Sequence, residues 1–172
     1  MLNRIRALSA AALIAVAAGC APEPTPSAPA PAAGDASAYL LDAEPAGAKG
    51  VVDARADAKD GEEVVVVGRI GGDVNPWVDG RAAFSIVDLS AQACSDIPGD
   101  NCPTPWDYCC EADLPQKRLL VKVVDPQGEL LRQGAKEAFG LKELQTVVVR
   151  GKAQRDKEGN LTVLADGLYV RQ

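Results

Sequence analysis

The sequence predicts an all-β domain: a closed barrel of five strands with one or two short helices. Three observations carry this. Five segments rich in β-branched residues lie between Glu62 and Val170, and only one helical stretch separates them, between the third and the fourth. Gly68 and Gly151 fall inside strands, where glycine weakens pairing but lets a strand bend or bulge so that a sheet can close on itself.

The elements follow in order. Val51 to Lys59 spaces Val51, Val52 and Ala56 as a short amphipathic helix, and Asp60-Gly61 turns the chain. Glu62 to Ile70 is a β-branched run and the first strand. Gly71-Gly72-Asp73 breaks it, and Asn75 to Gly80 is a connecting loop. Arg81 to Leu89 is the second strand, with Ala82, Phe84 and Ile86 on one face and Ala83, Ser85 and Val87 on the other. A cysteine-bearing insertion covers 90–116. Leu119 to Asp125 is the third strand, Pro126-Gln127-Gly128 a turn, and Glu129 to Phe139 a helix weakened by Gly134. Thr146 to Gln154 and Leu161 to Val170 form the last hairpin around Asp156 to Asn160. Five strands with a helix between the third and fourth is the order of the OB-fold, a small Greek-key barrel.

The residues Val65-Val66-Val67-Gly68-Arg69-Ile70 and Gly80-Arg81-Ala82-Ala83-Phe84-Ser85-Ile86-Val87-Asp88 resemble the first hairpin of anticodon-type, nucleic-acid-binding OB domains. Val147-Val148-Val149-Arg150-Gly151, the Gly159-Asn160 turn and Leu161 to Val170 resemble the closing hairpin of that fold. OB barrels host oligonucleotide, oligosaccharide and protein recognition, so the resemblance implies a fold and not a ligand.

The N-terminus predicts an address. Asn3, Arg4 and Arg6 lead into an apolar run from Ala10 to Ala18, followed by Gly19-Cys20. A basic start, a short apolar stretch and small residues before the cut make an export signal over 1–19. Ala-Ala-Gly-Cys resembles the lipobox of bacterial lipoproteins, although Ala17 stands where most carry Leu. The resemblance implies that Cys20 is acylated and anchors the protein to a membrane, facing the periplasm within the cell envelope. An ordinary signal peptide with an incidental cysteine is the alternative. The stretch 20–38 holds Pro22, Pro24, Pro26, Pro29 and Pro31 among small residues, the composition of a solvated tether, and leaves 39–172 as one OB domain. Lipobox, barrel hairpins and the Cys-Pro-Thr-Pro-Trp-Asp-Tyr-Cys-Cys insert together resemble an exported bacterial lipoprotein family of unassigned role.

Charge and composition narrow the chemistry. The chain carries 24 Asp and Glu against 18 Lys and Arg, a net charge of −6. The first 41 residues contribute only Arg4, Arg6, Glu23 and Asp35, so the acid excess lies in the folded part. Nucleic-acid affinity comes largely from basic side chains on phosphates, which disfavours that partner. There is no histidine, which removes His-based general-base, nucleophile and haem chemistry. No enzyme constellation is evident and no cofactor is predicted.

The insertion holds Cys94, Cys102, Cys109 and Cys110, an even number that predicts two disulfides in an oxidising compartment. Direct Cys109–Cys110 bonding needs a strained ring, so each is expected to pair with Cys94 or Cys102. Two crosslinks of about 2–4 kcal/mol each would order a long loop of little regular structure. A four-thiolate metal site is a weaker alternative, because the intervals of seven, six and zero residues do not match the usual Cys-x2-4-Cys spacing. Redox activity lacks a Cys-x-x-Cys motif or a nearby cation. Asp96, Asp100, Asp107, Glu111 and Asp113 make the segment acidic, either as a solvated loop or as a weak divalent-cation site.

Candidate ligand-binding residues are Arg69, Trp77, Arg81, Phe84, Trp106, Tyr108, Lys122 and Arg150. Aromatics beside a barrel face can stack on bases or sugars, and strand cations can line a groove. The aromatics can equally cap a small core of the insertion. The function read from the sequence is a non-catalytic, lipid-anchored binding module for an envelope protein, a glycan or a small polar ligand. Single-stranded nucleic-acid binding and a metal-binding cysteine cluster are the alternatives.

Overall fold

The computed structural model describes residues 35–172. The signal peptide, Cys20 and nearly all of the tether lie outside the described residues.

Six strands and three short α-helices make up the domain: β1 Lys49–Gly50, α1 Val51–Asp57, β2 Glu63–Ile70, β3 Ala83–Val87, α2 Leu114–Lys117, β4 Arg118–Val123, α3 Ala135–Phe139, β5 Thr146–Arg155 and β6 Leu161–Val170. Strands β2, β3, β4, β6 and β5 are hydrogen-bonded in that order, and β5 pairs back onto β2 to close a five-stranded barrel. All of these pairings are antiparallel except β4 with β6. With α3 lying between β4 and β5, this is the OB topology expected from the sequence. The two-residue β1 adds a parallel outer pairing at Val66 and Val67 of β2.

Both strand glycines sit where two backbones come too close for a side chain. A Cβ on Gly68 would stand 2.8 Å from the Val87 carbonyl oxygen, at the crossing of β2 and β3. A Cβ on Gly151 would run into the Leu164 carbonyl oxygen and lie 2.7 Å from the Ala165 Cα. Arg150 pairs with Gly167 and Gly151 with Ala165, which leaves Asp166 bulged from β6.

Alternation sends one face of every barrel strand inward. Val66, Ile70, Phe84, Ile86, Leu119, Val121, Val147, Val149, Val163 and Leu168 form one core with Phe139 of α3. Helix α1 buries Val51 and Ala54 and leaves Val52 41% exposed, which corrects the expected apolar face of Val51, Val52 and Ala56. The helix keeps Val51 inward because the next inward position one turn on is Ala54, not Ala56. The predicted helix from Glu129 is shorter than expected. Its first half turns at Gly128 and forms a bridge between Val124 and Leu130, and only Ala135–Phe139 is helical. The end of the expected tether is also part of the fold: Ala36–Tyr39 is a 3-10 turn capped by Asp35, and Tyr39 meets Phe139 edge-on at 6.4 Å. Among the described residues, no helix is long and apolar enough to cross a membrane.

The insertion has its own small core. Val87, on the outer face of β3, packs with Ala91, Ala93 and Tyr108, and Leu114 and Leu144 lie against them. Gly71-Gly72 is the platform on which the insertion sits. Gly72 N–H donates to the Trp106 carbonyl at 2.8 Å, and a Cβ on Gly71 would clash with that same carbonyl and with the Tyr108 ring.

Candidate functional site

The eight ligand-binding candidates do not converge. Phe84 is fully buried in the barrel core and Tyr108 in the insertion core, so neither can meet a ligand. Both are corrections with one cause: Phe84 falls on the inward face of β3, and Tyr108 is turned beneath the insertion against Val87. Tyr108 is therefore a core plug. Trp77 is half-buried with its ring 5.9 Å from Phe84, and its indole N–H donates to Glu143 at 2.8 Å. Lys136 covers the Trp77 ring at 5.6 Å and donates to Glu143 at 2.7 Å. Burial by itself pushes the Glu143 carboxyl up, but the bonds from Lys136 and Trp77 outweigh it and hold the group below its ordinary value. Trp106 donates its indole N–H to the Val74 carbonyl at 3.1 Å and thereby ties the insertion to the β2–β3 loop.

The candidate cations do not make a basic stripe, because two of the four are matched by acids. Arg69 pairs with Asp96 at 2.5 Å and Arg150 with Asp166 at 2.7 Å; Arg118, not among the candidates, likewise faces Asp73 at 3.3 Å. Arg81 is exposed and donates to the Gly80 carbonyl at 3.2 Å. Lys122 is half-buried and has no carboxylate partner among the described residues. The acidic balance seen in the sequence is thus local as well as global.

One open groove does lie where loops of the barrel meet. It has a volume of about 550 Å³ and runs between the β2–β3 loop (Asn75, Trp77), the start of β4 (Arg118, Leu120) and the β5–β6 turn (Asp156, Asn160). The turn is locked from within, since Asn160 donates from its backbone to Asp156 Oδ1 at 2.7 Å and from Nδ2 to Oδ2 at 2.8 Å. These bonds hold the Asp156 carboxyl below its ordinary value, with the Asn160 side chain contributing most. Arg118 is fixed over the groove wall by donating to the Gly72 carbonyl at 2.7 Å. The sequence singled out none of Asn75, Arg118 and Asn160. The groove belongs to the face and loops that OB barrels use for ligands, and that topology was the signal that could have found them.

The second feature is a cluster of sulfur. Cys94, Cys102, Cys109 and Cys110 are all free thiols, in place of the two disulfides expected from their even number. The sulfurs gather as one group rather than as two separate pairs: Cys109 Sγ stands 3.5 Å from Cys94 Sγ and 3.9 Å from Cys110 Sγ. Cys94 lies in the 3-10 turn Cys94–Asp96 and faces a second turn, Pro105–Asp107. That second turn ends at Tyr108, whose left-handed φ of 57° reverses the chain and returns Cys109 to Cys94. Sγ atoms of Cys94, Cys102 and Cys109 and a carboxylate oxygen of Asp107 all lie within 4.8 Å of one another.

Asp107 is aimed at this cluster by two bonds. Thr104 Oγ1 donates to Oδ2 at 2.8 Å, and the Cys109 backbone N–H donates to Oδ1 at 2.9 Å. Burial raises the Asp107 carboxyl, and those bonds more than reverse it. Burial raises the Cys94 thiol, while hydrogen bonding with Cys94 and Cys110 raises Cys109. Of the other acids expected to gather here, Asp96 is committed to Arg69 and Glu111 to Lys117 at 3.1 Å.

The chain matches no protein-family model and no curated protein.

Proposed function

We propose that this protein is a non-catalytic binding module of the cell envelope, held to a membrane through Cys20, whose barrel takes a small polar ligand of the glycan class. The groove between the β2–β3 loop and the β5–β6 turn is the observation that carries the reading. Its walls offer an amide at Asn75, guanidinium donors at Arg55 and Arg118, carboxylates at Asp73 and Asp156, and apolar surface from Trp77, Val78 and Leu120. Interleaved donors, acceptors and apolar patches suit a polyhydroxyl ligand. A phosphate chain wants unmatched cations, and of the two guanidinium groups in the groove wall Arg118 already faces Asp73 while Arg55 donates to the Arg118 carbonyl. The absence of histidine from the sequence removes His-based acid–base chemistry and supports a binding rather than a chemical role.

Calorimetric titration of the full chain against a panel of neutral and acidic oligosaccharides tests this. The reading expects saturable binding that changes little between low and high salt and is lost in Asn75→Ala. Oligonucleotide binding that falls steeply with salt would replace it with a nucleic-acid function, and turnover of any panel member would refute the non-catalytic part.

A further inference from the structure

The cysteine cluster is independent of the groove and carries its own chemistry. We propose that Cys94, Cys102, Cys109 and Asp107 form a structural site for a zinc-class divalent cation, which fixes the insertion against the barrel.

Geometry comes first. Tetrahedral ligation at a zinc–sulfur distance of about 2.3 Å places two ligating sulfurs about 3.8 Å apart. Cys94 and Cys109 are separated by 3.5 Å, close to that edge and far longer than the roughly 2.0 Å of a disulfide. Cys102 Sγ and an Asp107 oxygen complete a group of four donors, each within 4.8 Å of every other. A central ion can reach all four from such a spread with only small side-chain adjustments. The intervals along the chain do not resemble a zinc motif, but the two 3-10 turns and the left-handed Tyr108 bring distant positions together.

The donor set selects the ion. Three sulfurs with one oxygen suit a borderline-soft cation, whereas calcium and magnesium require oxygen shells. Three thiolates and a carboxylate around a doubly charged ion leave the same net charge as the common four-thiolate zinc sites. The outer contacts are also in place: Thr104 and the Cys109 backbone hold the Asp107 carboxylate in orientation, as ligating carboxylates generally are held. Binding releases the thiol protons to solvent and involves no oxidation or reduction.

The need for such an ion is visible in the fold. The segment between β3 and β4 contains only two 3-10 turns and the four-residue α2, and its core is Val87, Ala91, Ala93 and Tyr108. Three alanine-sized and valine-sized groups around one ring bury little surface to offset the ordering of so long a loop.

Cys110 gives the proposal a sharp test. It is exposed and lies outside the group of four; with Cys94 and Asp100 it makes a competing group of only three donors, so its replacement separates the two. The full chain, prepared reduced and without air, is dialysed against zinc or cobalt(II), and bound metal is measured by mass spectrometry. Wild type and Cys110→Ser should both hold about one ion per chain, while Cys109→Ser should hold none. Cobalt should show the near-ultraviolet thiolate charge-transfer band and the strong visible bands of a tetrahedral site. Asp107→Asn removes no sulfur and should weaken binding at least about tenfold, a readout that survives should Cys94→Ser or Cys109→Ser fail to fold. A reduced wild-type chain that takes up no metal overturns the proposal. So does loss of metal in Cys110→Ser equal to that in Cys109→Ser. A chain isolated with all four cysteines closed to thiol reagents and no metal overturns it in favour of two disulfides.

Discussion

Asp88 caps helix α1 from outside it: Oδ2 at the end of β3 accepts the Val52 N–H at 2.9 Å, across thirty-six residues of chain. The residue before the helix is Gly50, which offers no side-chain cap, and a Cβ there would stand 2.7 Å from the same carboxylate oxygen. Oδ1 of Asp88 accepts the Ser90 N–H at 2.9 Å, so one buried carboxylate starts a helix and also turns the chain into the insertion. Negative charge at a helix N-terminus is favourable on its own account.

Replacing Asp88 should therefore destabilise two elements at once. Asp88→Ala is expected to cost about 1–2 kcal/mol, and Asp88→Asn less, as measured by urea unfolding. The pH dependence has a definite sign. Burial raises the Asp88 carboxyl, but bonds from the Val52 and Ser90 backbones outweigh burial and hold it below its ordinary 3.8. A depressed carboxylate contributes stability above 3.8, and that contribution is lost as pH falls through the lower folded value. Wild type should converge on Asp88→Asn in acid and separate from it above pH 4; equal acid sensitivity of the two would refute the cap.

The strands were legible because their residues repeat a physical pattern. Val64 to Val67 and Val147 to Val149 can be packed well only in sheet, and Gly68 and Gly151 mark the points where strands cross. What could not be read was anything set by contacts far apart in the chain. No local rule tells that Asp88 serves Val52, that Gly71-Gly72 is a seat for Trp106, or that Tyr108 lies inward while Trp106 lies across a loop. The candidate cations failed for the same reason. Arg69 and Arg150 are exposed-looking strand positions until Asp96 and the bulged Asp166 are folded against them. The sequence predicts a helix from Glu129 because the composition there suits one, whereas the turn at Gly128 takes Leu130 to Val124 instead.

Gly151→Ala should show that the bulge is a steric requirement. The added methyl meets backbone on both sides, at Leu164 and Ala165, and backbone of a closed barrel cannot yield as a side chain can. A loss of about 2 kcal/mol or more is expected. Gly159→Ala is no useful match, because its φ of 84° brings strain of another kind. Gly68→Ala is the proper comparison, since it too meets a carbonyl, that of Val87 at 2.8 Å. Thermal midpoints close to wild type in both would mean that the strands can separate at these crossings.

Tyr108 offers a prediction of opposite sign. Its hydroxyl is buried without a hydrogen-bond partner among the described residues, and burial raises its pKa. A buried polar group left unpaired is costly, so removing the oxygen while keeping the ring should help. Tyr108→Phe is expected to match wild type or exceed it by up to about 1 kcal/mol in chemical unfolding. Tyr108→Ala should cost about 3 kcal/mol or more, because it empties the only aromatic place in the insertion core. Destabilisation by the Phe variant would show that the hydroxyl is engaged in solution.

Trp77 reports directly on Glu143, which joins the β2–β3 loop to the region after α3. The indole N–H and the Lys136 ammonium converge on one Glu143 oxygen at 2.8 and 2.7 Å, with Lys136 also over the ring. Burial raises this carboxyl, but the bonds from Lys136 and Trp77 prevail, so it stays ionised below its ordinary 4.5. The contact is therefore complete above pH 4.5 and dissolves only as pH falls through the lower folded value. In a Trp106→Phe background the emission of Trp77 should stay constant from neutral pH down to 4.5 and shift only below it. Glu143→Gln should abolish that acid transition while the barrel remains folded by far-ultraviolet dichroism. It should also loosen the β2–β3 loop that walls the groove, so that the ligand dissociates faster with little change in its rate of arrival. A transition of Trp77 emission well above pH 4.5 would mean that Lys136 and the indole do not hold the carboxylate in solution. Trp77 would then owe its position to its packing on Phe84 and to the loop's backbone bonds, Ser85 N–H to the Pro76 carbonyl at 2.8 Å and Val78 N–H to the Ala83 carbonyl at 2.9 Å.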